Sequence, residues 1–337
     1  MPTPADLGFV MPAEWEPHAR CWMAWPCRRS VWGDAMDAAR EVYATVAHAV
    51  AAFEPVTMLC NPADVAEASL ACGRGIDVLP MEIDDSWTRD TGPTFLVDRR
   101  GGLAGVDWRY NAWGERYRPY DRDADLARRI LERVGAERFE APIVLEGGAV
   151  HGDGEGTVLV TETCLLNTNR NPGLGRLEIE AVLHDFLGAA RVIWLTGGLE
   201  DDETDGHVDN VACFAGPGVV LALVSDDPGD GNYAVLQENL EILRGATDAQ
   251  GRALRVLTVP QPPRREHQGR RLPLSYVNLY VANGGVVMPT FEAATDDRAY
   301  RVLRDAFPGR RVVRVSASDI VPGGGGIHCI TLQQPAP

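Results

Sequence analysis

The chain contains 337 residues, of which 45% are hydrophobic and 24% are charged, a composition typical of a globular protein with a large core. Its 32 basic and 48 acidic residues give a formal net charge of −16, which argues against nucleic acid or anionic membranes as partners and favours cationic ligands. No apolar segment is long enough to span a bilayer, and the N-terminus lacks a basic stretch followed by an apolar core. We therefore expect a cytoplasmic protein without a signal peptide.

The cysteines indicate the same compartment. Their number is seven, and no two of them form a CxxC pair. An odd number without paired spacing is typical of reduced thiols and offers no zinc-binding motif.

Apolar residues recur with the period of a helix in five segments. The predicted helices cover residues 34–53, 123–134, a segment that begins at Asn171-Pro172, residues 232–243, and residues 296–307. A β-rich stretch follows each helix, at residues 56–60, 143–145, 191–195, 254–259 and 311–315.

Hairpins are predicted after these stretches. They pair residues 93–97 with 102–107, 149–151 with 157–161, 208–214 with 219–224, and 276–282 with 285–289. The last strand, residues 327–332, has no partner after it, whereas the N-terminal strand, residues 20–25, is free to pair with it. The pattern predicts an α/β protein with one repeat used five times, closed into a ring in a single domain of residues 1–337.

Polar clusters recur at the starts of the predicted hairpins, and equivalent positions of a ring converge at one end of its axis. The candidate site residues in these clusters are Asp85, Arg89, Asp90, Glu146, Glu203, His207, Asp209 and Cys329. Each acid alone could form a turn or a surface ion pair, but their placement in equivalent loops favours a functional site.

Cys329 follows the run Gly323-Gly324-Gly325-Gly326 closely, and this flexible loop gives its thiol the access that a nucleophile needs. On a strand, alternate side chains share a face, so His207 and Asp209 would face the same way, whereas His328 and Cys329 would face opposite ways. We therefore expect His207 to be the general base and His328 to be a core residue. A zinc site built from Glu146, His151, His207 and Asp209 is the sharpest rival, although its spacing matches no metal motif.

Four segments resemble the agmatine deiminase family of the guanidine-modifying (pentein) superfamily, which is related to bacterial-type peptidylarginine deiminases. They are Trp87-Thr88-Arg89-Asp90-Thr91-Gly92-Pro93, Leu145-Glu146-Gly147-Gly148, Asp205-Gly206-His207-Val208-Asp209-Asn210, and the segment from Gly323 to Thr331. The resemblance covers nearly the whole chain and implies a five-fold α/β propeller. It implies hydrolysis of agmatine to N-carbamoylputrescine and ammonia without a metal or cofactor, and family habit suggests a homodimer.

The resemblance also assigns roles to individual residues. Cys329 is the implied nucleophile and His207 the general acid and base, while Asp90 and Asp209 hold the guanidinium nitrogens. Glu146 is implied to be a further acid beside the guanidinium, Trp87 a wall of the pocket, and Glu203 the group nearest the distal amine of the substrate. The chain departs from the family pattern at Ala149, Gly326 and Leu332, so the resemblance does not define the edge of the pocket or the choice of substrate.

Two other functions remain open at this point. The chain could act on arginine or peptidyl-arginine, although free arginine needs a cationic anchor and the acidic run from Glu200 to Glu203 favours an ammonium group instead. It could also be an inactive pentein that binds a polyamine, but Cys329, His207, Asp90 and Asp209 are all intact.

Overall fold

The structure, a computed structural model, describes residues 2–336. Its strands are listed here in chain order: β1 (His18–Ala24), β2 (Val56–Cys60), β3 (Ile76–Pro80), β4 (Thr94–Val97), β5 (Leu103–Arg109), β6 (Glu137–Val144), β7 (His151–Gly152), β8 (Thr157–Thr161), β9 (Arg191–Leu195), β10 (Ala212–Gly216), β11 (Val219–Val224), β12 (Arg255–Pro260), β13 (Glu266–His267), β14 (Arg270–Arg271), β15 (Tyr280–Ala282), β16 (Gly285–Thr290), β17 (Arg311–Ser316) and β18 (Leu332–Pro335).

The helices are α1 (Arg29–Trp32), α2 (Met36–Ala51), α3 (Val65–Cys72), α4 (Thr88–Thr91), α5 (Ala112–Glu115), α6 (Asp121–Ala124), α7 (Leu126–Val134), α8 (Glu162–Leu165), α9 (Arg176–Leu187), α10 (Tyr233–Gly245) and α11 (Asp296–Ala306). Short 3-10 turns lie at Ala5–Leu7, Gly33–Ala35, Pro62–Asp64, Gly147–Ala149, Val208–Asn210 and Val321–Gly323. Within the described residues, no helix has both the length and the apolar character that a membrane span requires.

Five sheets share one topology, in which an antiparallel pair is followed by a parallel third strand. The sheets are β4-β5-β6, β7-β8-β9, β10-β11-β12, β15-β16-β17 and β18-β1-β2-β3, where the last has a fourth strand. A small hairpin, β13-β14, lies between the third and fourth repeats in the sequence. The mixed α/β class and the repeated hairpin-plus-strand unit are therefore as expected.

The longer helices provide the apolar faces that cover these sheets. In α2, Tyr43, Val46 and Val50 are fully buried against a continuous core, together with Met58 of β2 and Val287 of β16. Burying one such side chain stabilises the fold by about 1.5–3 kcal/mol. This packing provides the support on which the polar loops are held.

The first repeat is larger than predicted, because α3 and β3 were not foreseen. Only the first residue of β3, Ile76, is buried, and α3 buries only Ala68 and Cys72, so neither segment has a strong apolar pattern. The third long helix begins at Arg176 and not at Asn171-Pro172. The Asn171 amide instead exchanges two hydrogen bonds with the backbone of Val144, at 2.9 and 2.8 Å.

The two ends of the chain pair as expected, but with a different register. β1 runs antiparallel to β18, with Trp22 opposite Leu332, so the C-terminal strand lies after residues 327–331 and not across them. Residues 327–330 form a turn, in which the Thr331 hydroxyl donates to the backbone oxygen of Ile327 at 2.8 Å. Cys329 is therefore on a turn, not on a strand.

Candidate active site

The loops that precede the antiparallel pairs supply the polar residues of one buried site. Asp90 lies on α4 before β4, Glu146 precedes β7, His207 and Asp209 precede β10, and Cys329 precedes β18. All five side chains are at most 6% exposed. Their equivalent positions in the repeat bring together residues that lie far apart in the sequence.

Cys329 presents its sulfur to two polar side chains. The Sγ atom accepts a hydrogen bond from Nδ2 of Asn278 at 3.2 Å and lies 3.6 Å from Oδ2 of Asp209. Burial raises the pKa of the Cys329 thiol well above its usual range, and the charges of Asp209 and Asp90 raise it further. The thiol of the ligand-free protein is therefore protonated at neutral pH.

His207 lies between two acids, and neither of its ring nitrogens makes a hydrogen bond among the described residues. Nδ1 is 3.8 Å from Oδ1 of Asp90, and Nε2 is 3.6 Å from Oε2 of Glu146. Burial acts to lower the pKa of His207, but Asp90, Cys164 and Glu146 raise it well above its ordinary value. The imidazole is thus held in its protonated form, ready to act as an acid.

Asp90 is oriented by two donors from different repeats. Its Oδ2 accepts a hydrogen bond from Nε1 of Trp113 at 2.9 Å, and its Oδ1 accepts one from the backbone N–H of Gly148 at 2.9 Å. Burial raises the pKa of Asp90, while the charge of His207 acts to lower it.

Glu146 is oriented by Arg170, whose Nε donates to Oε1 at 2.6 Å. Burial acts to raise the pKa of Glu146, but Arg170 and His207 bring it below its usual value, so the carboxylate is ionised. Its second oxygen, Oε2, is buried and has no hydrogen-bond partner among the described residues.

The Oδ2 atom of Asp209, which faces Cys329, also contacts His328, whose Nδ1 lies 2.8 Å away. Burial acts to raise the pKa of Asp209, but hydrogen bonding to the charged His328 ring lowers it. Its other oxygen, Oδ1, is buried and makes no hydrogen bond within residues 2–336.

Gly148 lies where three of these side chains meet. A Cβ atom on this residue would lie 2.5 Å from Nδ1 of His207, 2.9 Å from Oδ2 of Asp209 and 3.0 Å from Oδ1 of Asp90. Any larger residue would push the three groups apart, so the glycine is required for their close approach.

His207, His328 and Cys329 do not lie on strands, so the prediction from strand alternation is wrong. His207 directly precedes the turn Val208–Asn210, and His328 and Cys329 lie on a turn as well, so none of them follows strand alternation. The turn at residues 208–210 forms because His207 and Asn210 are joined by a backbone hydrogen bond. His328 is buried as expected, but it contacts the acids of the site.

Trp87 and Glu203 line the cavity that leads to the thiol. The ring of Trp87 stacks on Trp32 with centroids 5.6 Å apart. Glu203 accepts a hydrogen bond from the Tyr117 hydroxyl at 2.5 Å and pairs with Arg270. The cavity is lined by Trp87, Asp90, Trp113, Tyr117, Glu203, Thr204, Gly323, Gly324, Gly325 and Cys329.

The ligand set proposed for a zinc site is divided between two clusters in the described chain. His207 groups with Glu146 and Cys164, whereas His151 groups with Glu14 and His328, with the potential ligand atoms of each group within 4.8 Å of one another. The structure therefore gives no support to a four-residue site built from Glu146, His151, His207 and Asp209.

Sequence reasoning missed Asn278, which contacts the sulfur directly. The loop at residues 275–279 precedes β15 as the other polar loops precede their pairs, and this equivalence was the available signal. Arg170 and Trp113, which orient Glu146 and Asp90, lie outside the repeated loops, so no comparable pattern marked them.

Comparison with known proteins supports a common origin over the whole chain. The family of Porphyromonas-type peptidyl-arginine deiminases matches residues 10–335. The chain is 52% identical to a protein of Legionella pneumophila over 98% of this chain and 96% of that protein. It is 46% identical to the agmatine deiminase of Stutzerimonas stutzeri, over 99% of this chain and 98% of that one.

A solved structure agrees with this similarity. The agmatine deiminase of Enterococcus faecalis superimposes with a TM-score of 0.96 at 35% identity, covering 100% of this chain and 98% of that one. Fold and sequence together define an enzyme of the pentein superfamily, a hydrolase of carbon–nitrogen bonds in amidines. Within that class, the chain belongs to the agmatine deiminase family.

Proposed function

We propose that this protein hydrolyses agmatine to N-carbamoylputrescine and ammonia, with Cys329 as the nucleophile. The observation that carries the proposal is the meeting of Asp90, His207 and Asp209 around Gly148, beside a cavity whose wall includes Asp90, Cys329 and Glu203. The carboxylates of the cluster suit a guanidinium, and the carboxylate of Glu203 suits an ammonium group at the other end of the same substrate.

Unpartnered buried acceptors support a guanidinium as the group bound beside Cys329. Oδ1 of Asp209 and Oε2 of Glu146 are both buried, and no donor in the described part of the chain reaches either of them. Leaving such atoms unpaired is costly, and the N–H groups of a planar guanidinium would satisfy them. Asp90 and Asp209 then hold the guanidinium, with Glu146 as a further acid beside it.

The reaction proceeds through a covalent intermediate. Cys329 attacks the guanidinium carbon as a thiolate, and protonated His207 transfers its proton to the departing ammonia. The resulting S-alkylthiouronium is then attacked by water, from which neutral His207 removes a proton. Collapse of this second adduct releases N-carbamoylputrescine and restores the thiol.

Ionisation of the thiol is assigned to the bound substrate. Asp90 and Asp209 both raise the pKa of Cys329, so a cation that binds to them removes the opposing charge, favours the thiolate and lets the thiol release its proton to solvent. His207 makes no hydrogen bond to the sulfur of Cys329, since neither of its ring nitrogens has a hydrogen-bond partner within residues 2–336.

Free arginine is the second candidate substrate, and one observation favours it. Arg270 pairs with Glu203, and both line the outer cavity that adjoins the first one at Tyr117, Gly323 and Gly324. A guanidinium at this place can donate hydrogen bonds to the carboxylate of arginine. Peptidyl-arginine is a third candidate, because the matching family includes deiminases named for it.

Ammonia release from agmatine, arginine and a peptidyl-arginine, measured in EDTA, distinguishes these candidates. We expect a kcat/KM for agmatine at least about tenfold higher than for either alternative, since each 1.4 kcal/mol of differential binding gives a factor of ten. Higher turnover of arginine would make arginine the substrate, with Arg270 as the anchor for its carboxylate. Activity that is lost only when EDTA is present would show that the enzyme needs a metal.

The closure of the ring, the number of domains and the oligomeric state are also part of the proposal. We propose that the five sheets close into a five-fold propeller that forms a single domain, with the pairing of β1 and β18 as the closing contact. A homodimer in the cytoplasm, without a cofactor, completes the proposal. Light scattering tests the dimer, and limited proteolysis that yields two stable halves would contradict the single domain.

A further inference from the structure

His328 is held between two acids although its neighbour in the sequence is the nucleophile. Its Nδ1 lies 2.8 Å from Oδ2 of Asp209, and its Nε2 lies 2.8 Å from Oε1 of Glu14. The side chain is only 3% exposed. Because ionised carboxylates only accept hydrogen bonds, both contacts are satisfied when both ring nitrogens carry protons.

The surrounding charges favour this imidazolium. The charged and titratable groups around His328 are Asp209 and Glu14, which contact the ring, His151, whose ring lies beside it, and Arg89, which donates to the backbone oxygen of His328. Burial and Arg89 act to lower the pKa of His328, but Glu14 and Asp209 raise it above its ordinary value. Burial acts to raise the pKa values of Glu14 and Asp209, yet their cationic neighbours lower both.

Arg89 completes an alternating row of charges. Its Nη1 lies 3.3 Å from Oε1 of Glu14, so Arg89, Glu14, His328 and Asp209 carry two positive and two negative charges in turn. A buried row that balances its own charge avoids the large cost of an isolated buried ion.

The row ends at the reacting sulfur. Oδ2 of Asp209 contacts both His328 and the Sγ atom of Cys329, whereas Oδ1 has no hydrogen-bond partner in the part of the chain that the structure describes. The imidazolium thus determines which oxygen of Asp209 remains for a substrate N–H. It also opposes the negative charge that Asp209 places beside the thiol.

We propose that His328 is a positioning residue that acts through Asp209, fixing the orientation of this carboxylate and offsetting its charge beside Cys329. The part that concerns substrate rests on the proposed function, because it requires Asp209 to bind a guanidinium. The effect on the thiol does not depend on which substrate the enzyme takes.

Two substitutions separate the contacts of the ring. In His328→Asn the amide nitrogen replaces Nδ1 and keeps the bond to Asp209, whereas in His328→Gln it replaces Nε2 and keeps only the bond to Glu14. Both remove the positive charge. The exposed His184→Asn serves as the matched control, since its side chain is 65% exposed.

Two readouts are required. The first is kcat and KM for agmatine, and the second is the pH dependence of Cys329 alkylation by iodoacetamide, followed by peptide mass spectrometry without substrate. We expect His328→Asn to keep kcat within about tenfold of wild type and His328→Gln to lose about a hundredfold, as for a lost charge-assisted hydrogen bond. Both should move the alkylation midpoint upward by about one pH unit or more.

The outcomes distinguish this inference from the proposed function. Equal kcat values for the two variants, or alkylation midpoints that match His184→Asn, would overturn the role of His328. If circular dichroism shows that neither variant folds, Glu14→Gln is used instead. This substitution makes the protonated form of His328 less stable without changing a residue that touches substrate. An alkylation midpoint of Cys329 that does not shift in Glu14→Gln would overturn the inference. A wild-type enzyme inactive on agmatine refutes the proposed function alone, because the alkylation profiles still report on His328.

Discussion

Oδ2 of Asp209 lies 3.6 Å from the sulfur of Cys329, so a carboxylate borders the thiol that must ionise. Its charge raises the pKa of the thiol in the ligand-free protein. In the proposed mechanism the same charge attracts the guanidinium, and binding of that cation removes the obstacle to ionisation. The proposal therefore links substrate binding and activation of the nucleophile through one side chain.

Asp209→Asn should separate these two effects. Loss of the charge lowers the pKa of Cys329, so iodoacetamide should alkylate this thiol at lower pH in the absence of substrate. Deimination should nevertheless fall by about ten- to a hundredfold, because a charge-assisted hydrogen bond worth about 1.5–3 kcal/mol is lost. Asp226→Asn, at an exposed ion pair with Arg298, is the control. Alkylation that shifts to higher pH in Asp209→Asn would show that the carboxylate does not oppose the thiolate.

Asn278 should stabilise the thiolate form of Cys329. Its Nδ2 donates to the sulfur at 3.2 Å, and a hydrogen bond to a charged acceptor is worth about 1.5–3 kcal/mol. We expect Asn278→Ala to lower kcat about ten- to a hundredfold. Asn278→Asp should lose more and raise the alkylation midpoint, since it adds a negative charge. The contact would be incidental if Asn278→Ala had the wild-type kcat.

Arg170 should matter for stability as well as for the site. It is 4% exposed and pairs with Glu146 at 2.6 Å, so Arg170→Met removes the hydrogen-bonded partner of a buried carboxylate and should cost about 3–5 kcal/mol in urea unfolding. Glu146→Gln added to Arg170→Met should recover part of the loss. The exposed pair of Arg176 and Glu162 is the control, and Arg176→Met should cost less than about 1 kcal/mol.

The same pair gives a pH dependence with a definite sign. Because the pKa of Glu146 is lowered in the folded state, its ionised form stabilises the protein above its unfolded-state pKa. This contribution is lost as the pH falls through the folded-state pKa. In Arg170→Met the folded-state pKa of Glu146 rises, so acid destabilisation should begin at higher pH. The free energy of unfolding measured against pH tests this, and the same acid-side decrease in wild type and Arg170→Met would show that Arg170 does not lower the pKa of Glu146.

Arg270 should compete with the substrate for Glu203. The two residues form an exposed ion pair, and such pairs contribute about 0.2–1 kcal/mol. Arg270→Gln should therefore lower KM for agmatine by up to about fivefold and leave kcat unchanged. Arg264→Gln, at the nearby exposed pair with Glu200, is the control. A raised KM for agmatine in Arg270→Gln would show that Glu203 does not receive the ammonium.

The sequence predicted the repeat and its polar loops, because both depend on local patterns. The helices of the five repeats have clear apolar faces, and the loops that carry Asp90, Glu146, His207 and Cys329 occur at equivalent places. The resemblance to a family then assigned their roles. Chain-end pairing was also predictable, since the last strand had no later partner.

The contacts around the site were not predictable, because they join distant segments. Glu14 and His328 are 314 positions apart in the chain, and no periodicity relates them. The conformation of Cys329 was misjudged because an apolar run after glycines was interpreted as a strand, whereas the backbone turns there and the strand begins at Leu332. Asn278 was overlooked since a single amide in an apolar loop does not look like a catalytic cluster.

The most direct test of the account is to trap the intermediate on the nucleophile. The enzyme is mixed with agmatine, quenched in acid within a turnover, digested and analysed by mass spectrometry, with Cys329→Ser as the control. We predict a thiouronium adduct on the peptide that contains Cys329, no adduct on the other six cysteines, and no ammonia release by Cys329→Ser. Ammonia release from agmatine that persists in folded Cys329→Ser would contradict the account.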